Sequence, residues 1–517
     1  MAHVVSTLLL AALFHLADCS HDAATTYHPS STTAETTNGL VLGHPGPNRS
    51  DVIEFLGIPF AEPPIGELRF APPIRYQGSD ATLNASQWLK YRASIVRRRR
   101  RSRWTFPVSL LKPNVSSITS SAAPATLKAM TVSRSTYGPS QSPPPPNRKS
   151  QFLSFSTADV LPMATPTPPF YDGQALADAE DVVVVTLNYR VNIFGFPGAP
   201  GAAGNLGLRD QRLAVEWIRD NIAAFGGDPS RMVFSGQSAG GVAVDYWAYA
   251  YQEDPIVSGL ISHSGNALSF PLNEPSRQAS NWHNVSETLG CGADGNSLTC
   301  MRTKNWTEIL KAALKVPSAA SDNPVRSTPP FYPQADEKLV FSDYDKRSRD
   351  GNFARLPYVL GNNDNEQGYY VISAYGRGTN VTKAQGDEFL LTSFTCPNHA
   401  QALSRRAAGV PVWQYRYFGD WDNTRLYTTS GAYHGTDMHM VFGNSEAVTG
   451  ILPSVAQDKT VVRMQHLWAR FAADPVNGLS RAGWPRLEPG SDSLARFAYG
   501  NSPEWSFVDP EVLVDRC

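Results

Sequence analysis

Charge is scarce in this chain. Asp, Glu, Lys and Arg make up 18% of its 517 residues and leave a net charge of −1, so no overall field draws the molecule to nucleic acid. Cysteine is scarcer still. Five are present, and none stands in a C-x-x-C pair, which argues against the common zinc arrangements. Beyond the N-terminus no apolar run is long enough to cross a membrane, and no internal repeat is found. Glycine (39) and proline (40) are plentiful, and 41% of residues are hydrophobic. These numbers describe a long chain with a large core and many loops.

The first residues read as a secretory signal over 1–19. An apolar stretch from Val4 to Leu16 is followed by small residues at Ala17 and Cys19, where cleavage could fall. Removal after Cys19 would leave four cysteines. Cys291 and Cys300 bracket a Gly/Asp/Asn/Ser loop that suits a short disulfide, and Cys396 could pair with Cys517. An oxidising, extracellular location fits both pairs. Six N-x-S/T sequons, at Asn48, Asn84, Asn114, Asn284, Asn305 and Asn380, fit a secreted glycoprotein.

Residues 20–37 are rich in Ser, Thr, Ala and His and read as a disordered leader. From Asp51 to Phe60 hydrophobic residues alternate and then turn. Four successive valines between Asp181 and Asn188 suit a strand buried on both faces of a parallel sheet. Arg209 to Phe225 carries Leu213, Trp217, Ile218, Ile222 and Phe225 at helical spacing, and Gly226-Gly227 ends it. A strand at Met232–Ser235, a second helix and a strand at Leu260–Ser262 follow. Strands alternating with helices predict an α/β fold, with a mostly parallel central sheet flanked by helices.

The pentapeptide Gly236-Gln237-Ser238-Ala239-Gly240 fits G-x-S-x-G, the sharp strand-to-helix turn that presents a serine as a nucleophile. Small residues on both sides are what so tight a turn needs. A serine hydroxyl needs a base within hydrogen-bond reach, and the base needs an acid to fix its tautomer. Elbow enzymes place these in the chain order serine, acid, histidine. His434 lies between glycines in Gly431-Ala432-Tyr433-His434-Gly435, which suits a loop carrying an imidazole. Glu366 follows the apolar run Tyr358–Leu360 and a polar turn. It therefore falls just past a strand's C-terminal end, where α/β active sites form. Asp364 is a rival acid two residues earlier. Ala239 N–H is a candidate oxyanion donor.

These segments together resemble the type-B carboxylesterase/lipase family, which includes the cholinesterases. FLGIPFAEPPIGELRFAPP from Phe55 and GNLGLRDQRLAVEWIRDNIAAFGGDPSRMVFSGQSAGG from Gly204 are similar to its two signatures. SHSG at Ser262, LPYVLGNNDNEQG around Glu366, GAYHGTDMHMVFG around His434 and WARFAADPVNG from Trp468 extend the match. Gln237, standing where many relatives carry Glu, together with YDGQALAD and VPVWQYRYFGDW, resembles the secreted fungal branch. The resemblance implies an α/β-hydrolase fold and hydrolysis of small-molecule carboxylic esters without cofactor or metal. It implies Ser238 as nucleophile, Glu366 as acid, His434 as base and a Cys291–Cys300 disulfide. It favours Glu366 over Asp364, gives Asp437 a supporting role, and leaves Ser264 either bonded to the acid or simply satisfied at a strand end. A non-catalytic binding protein on the same scaffold is the other class of function open to the chain.

The stretch from about Ser94 to Ser150 departs from this pattern. It opens on Arg97 to Arg101 with Arg103, continues rich in Ser, Thr and Pro, and ends in Pro143–Pro146. The basic run can be read as a nucleic-acid patch, as a solvated loop, or with its surroundings as sequence foreign to the gene, such as translated intron. The family's Glu-Asp-Cys-Leu strand, a second strand and a His-Gly-Gly-Gly loop should lie here, and none is recognisable. Two central strands and part of the oxyanion hole are therefore expected to be missing. The substrate and the oligomeric state are not legible.

Overall fold

The computed structural model describes residues 32–47, 49–78, 82–86, 129–135, 150–156, 169–180, 182–319, 321 and 323–517. The signal segment, Arg97–Arg103, and the sequons at Asn48 and Asn114 lie outside the described residues.

The strands in chain order are β1 (Thr33–Thr36), β2 (Gly39–Leu42), β3 (His44–Pro45), β4 (Val52–Pro59), β5 (Leu83–Asn84), β6 (Ala129–Ser135), β7 (Ser150–Ser156), β8 (Val182–Leu187), β9 (Gly227–Gln237), β10 (Gly259–His263), β11 (Tyr358–Asn363), β12 (Val412–Tyr417), β13 (Leu494–Phe497) and β14 (Ser506–Val508). β1, β2 and β5 form a small sheet. The others form an 11-stranded sheet in the order β14-β13-β12-β11-β10-β9-β7-β8-β6-β4-β3. From β8 to β13 every pairing is parallel, and antiparallel strands close both edges.

This order corrects the expectation of missing central strands. β6 and β7, one inside the anomalous stretch and one beginning at its end, fill the positions between β4 and β9. A backbone ladder needs only donors and acceptors at the right spacing, so a sequence without family signature can still complete it. The leader is corrected too. Thr33–Thr36 pairs antiparallel with Gly39–Leu42, so the part of it from Thr33 onward belongs to a sheet.

The valine run forms β8, buried at all six positions. The predicted helix runs from Leu206 to Asn221 and tightens into a 3-10 turn at Ile222–Phe225. Gly226, at φ 84°, then reverses the chain into β9. Alternation along the parallel strands sends Phe234, Leu260 and Leu360 into one core layer and Val233, Ile261 and Val359 into the other. β4 is buried on both faces except at its last residue, although its sequence alternates. Because the inner strands are parallel, the C-terminal ends of β9, β11 and β12 share one edge, where α/β sites form.

Candidate active site

Ser238 sits between β9 and the helix Ala239–Ala250, with φ 59° and ψ −121°. This conformation is strained for a residue with a side chain. It holds because the neighbours leave no room to relax. A Cβ on Gly236 would lie 2.3 Å from the carbonyl group of Gly240, and one on Gly265 would lie 2.3 Å from the Ser238 oxygen. Ser238 N–H donates to the His263 carbonyl at 2.8 Å, which ties the turn to β10.

Glu366 lies three residues past β11 and is fully buried. Its Oε1 accepts from Ser264 Oγ at 2.6 Å and from Asn363 N–H at 2.7 Å. Its Oε2 lies 2.5 Å from His434 Nδ1. A carboxylate only accepts, so Nδ1 carries the proton. Asp364 turns away to Arg416, 3.0 Å distant. Burial raises its pKa above the usual carboxylate range, against the pull of Arg416. Of the two readings for Ser264, the bond to the acid is the one present.

His434 lies in the loop after β12, on the side of the helix Gln367–Gly376. The rings of Tyr370, Phe394 and Tyr369 surround it with centroids at 5.0, 5.3 and 6.3 Å. Its Nε2 is 3.1 Å from Gln237 Nε2, while the Ser238 side chain interacts with the Tyr370 hydroxyl. His434 and Ser238 are thus neighbours through Gln237 and Tyr370, and each holds a partner other than Glu366 or the other of the two. Burial raises the Tyr370 hydroxyl well above the ordinary tyrosine pKa, so it stays a protonated donor.

Beneath the His434 loop lies a buried network. Asp437 Oδ2 accepts from His263 Nδ1 at 3.0 Å and from Tyr415 OH at 2.8 Å, and Oδ1 accepts from Asn363 Nδ2 at 3.1 Å. Trp468 Nε1 donates to His263 Nε2 at 3.1 Å, so His263 is neutral with its proton on Nδ1. Burial works to raise the Asp437 carboxyl, but the hydrogen bonds from His263, Tyr415 and Asn363 hold it below its ordinary value. This network ties the His434 loop to β10, β11 and β12, the support expected of Asp437. His263 and Tyr415 were not foreseen, because only the tertiary fold brings them to Asp437.

Ala239 is the first residue of its helix, directly after Ser238, where backbone N–H donors have no partner within the helix. A further donor would come from the segment after β7. Residues 157–168 lie outside the described residues, and their sequence contains no glycine. A cavity of about 60 Å³ begins at Ala239 and follows Val242, Ala243 and Tyr246 along one face of the helix. Phe331 and Tyr332 help to close its far side. Two disulfides are formed, Cys291–Cys300 and Cys396–Cys517. Among the described residues no group of three or more His, Cys, Asp or Glu is placed to hold a metal ion. No helix described is long and apolar enough to cross a membrane.

The carboxylesterase family model matches residues 30–92 and 162–393. The chain is 32% identical to secreted lipase 5 of Gibberella zeae, over 99% of this chain and 98% of that protein. It is 30% identical to a chlorogenic acid esterase of Aspergillus niger, over 90% of each. Among solved structures, a PNB esterase superposes with a TM-score of 0.72 at 23% identity, covering 94% of this chain and 99% of that one. That likeness shows the fold, an α/β-hydrolase.

Proposed function

The chain belongs to the carboxylesterase family, a family of carboxylic ester hydrolases, and on that premise we propose that it is a secreted serine esterase working through Ser238, His434 and Glu366. The observation that carries this reading is the short contact of His434 Nδ1 with buried Glu366, beside the strained turn that presents Ser238. Glu366 fixes the tautomer that leaves Nε2 as a base. In turnover Nε2 takes the Ser238 proton as Oγ attacks the ester carbonyl. The imidazolium returns that proton to the departing alcohol. Water, deprotonated by the same nitrogen, then releases the acid from the acyl-serine. No metal or cofactor enters these steps.

The oxyanion of each tetrahedral intermediate has Ala239 N–H as one donor. Loss of one oxyanion donor lowers kcat by about 10²- to 10³-fold. Without a Gly-rich loop after β7, turnover is expected to be slow. Expression of the chain and treatment with a fluorophosphonate tests the reading. It requires a label on Ser238 that S238A loses, and p-nitrophenyl acetate hydrolysis with kcat below about 1 s⁻¹, against about 10 s⁻¹ for an ordinary enzyme. A folded protein that never labels is a binder rather than an enzyme. Extracellular export is part of the same proposal, supported by the secreted relative and the two disulfides.

A further inference from the structure

Gln237 is the last residue of β9, next to Ser238, and is buried at 6% exposure. Its amide nitrogen is a donor only, so at 3.1 Å from His434 Nε2 it must give a hydrogen to the ring's lone pair. The amide is oriented from its other end, where Tyr171 OH reaches Gln237 Oε1 at 3.4 Å. Gly435, at φ 86°, lies beside it. A Cβ there would come within 3.4 Å of the amide nitrogen. The same nitrogen of His434 must accept the serine proton in turnover.

We infer that Gln237 is a positioning residue that presents a donor to His434 Nε2, favours the neutral imidazole and thereby carries ester hydrolysis to lower pH. The argument is one of matching. A neutral ring offers a lone pair to the amide N–H. An imidazolium offers a second N–H, which meets the amide hydrogens head-on. To accept it, the amide must turn over, and the Tyr171 hydroxyl must then accept from the amide instead of donating to it. A carboxylate at 237 would reverse the preference, since it accepts from the imidazolium and attracts its charge. Among the described residues the other groups facing the ring are Glu366, which Arg416 on β12 acts upon, and Tyr369, Tyr370, Phe394 and Ser238. Asp437, on the ring's own loop, is held by His263, Tyr415 and Asn363. Glu366 remains in every variant below, so differences between them report position 237.

The inference rests on the esterase reading, and two readouts separate the two. The first compares, for the full chain with Gln237, Q237E and Q237M, the pH dependence of fluorophosphonate labelling and of kcat/KM for p-nitrophenyl acetate. The acid limb of Q237E is expected about one unit or more above that of the unsubstituted protein, with Q237M between them. Superimposed acid limbs overturn the inference. Should Q237E not fold, Q237M decides alone: an upward shift supports the role and an unchanged limb ends it. The second readout is NMR titration of the His434 ring, assigned with H434Q, which needs no activity. A protein that never labels sinks the esterase reading, yet a His434 titration that moves up in Q237E still upholds the contact, and one that stays put removes it.

Discussion

Glu366 is a single carboxylate with both oxygens engaged, and this makes its replacement informative for the proposed triad. In Glu366→Gln the amide's two faces differ. With its NH2 toward Ser264 and Asn363 the amide loses the Asn363 N–H, and with its NH2 toward the ring it loses the His434 N–H and with it the fixed tautomer. We expect kcat to fall about 10³- to 10⁴-fold with little change in KM, the scale seen when the acid of such a triad is neutralised. His439, one turn beyond His434, makes a different prediction. Burial lowers its pKa from 6.5 to about 4, against the pull of Asp437, and its Nδ1 has no partner among the described residues. The folded state therefore binds fewer protons than the unfolded chain between about pH 4 and 6.5. Stability rises with pH across that window and is lost on acidification, by up to about 3 kcal/mol. Melting temperatures measured from pH 7 down to 4 should fall more steeply for the native protein than for His439→Gln. Of these residues, Ser238, Glu366 and His434 were legible because a motif or a loop signature marks each. The Gln237–His434 contact was not, since 197 positions separate the partners and no local pattern records it.

At the scale of elements, the elbow is a packing problem as much as a sequence motif. Gly236 lies against the Gly240 carbonyl, so Gly236→Ala must push the helix Ala239–Ala250 away from β9. Loss of Ser238 labelling and a drop of several degrees in melting temperature are expected, measured by scanning calorimetry. The same helix lines the cavity that begins at Ala239. Taken as the acyl site, about 60 Å³ suits an acetyl or propionyl group, since a benzene-sized cavity is about 150 Å³. Tyr332→Ala should raise kcat/KM for butyryl and hexanoyl esters relative to acetyl by about tenfold or more, the worth of a methylene or two in an apolar pocket. The helix, the β8 strand and the β9 strand were legible from periodicity and valine content. β6 and β7 were not. Their residues carry little strand signal, and their place follows from the open ladder edges of β4, β8 and β9.

Across the whole molecule, the C-terminus is fastened to the body by Cys396–Cys517, which closes a separation of 121 residues. Replacing both cysteines by serine is expected to cost about 2–5 kcal/mol, read as an earlier urea midpoint, while labelling of Ser238 at low urea persists. Four sequons, at Asn84, Asn284, Asn305 and Asn380, are exposed, and glycosidase treatment of the exported protein should lower its mass. Asn305 also caps a helix, its Oδ1 accepting from Thr307 N–H at 2.9 Å. The sequence by itself determined the family, the alternation of strands and helices, and the chemical types of the three side chains, because each is written in a short, contiguous pattern. Tertiary structure decided the rest: which carboxylate meets the imidazole, which strands complete the sheet, and which donor faces Nε2. Those outcomes depend on distances between segments far apart in the chain, and such distances exist only once parallel strands have brought their C-terminal ends to one edge.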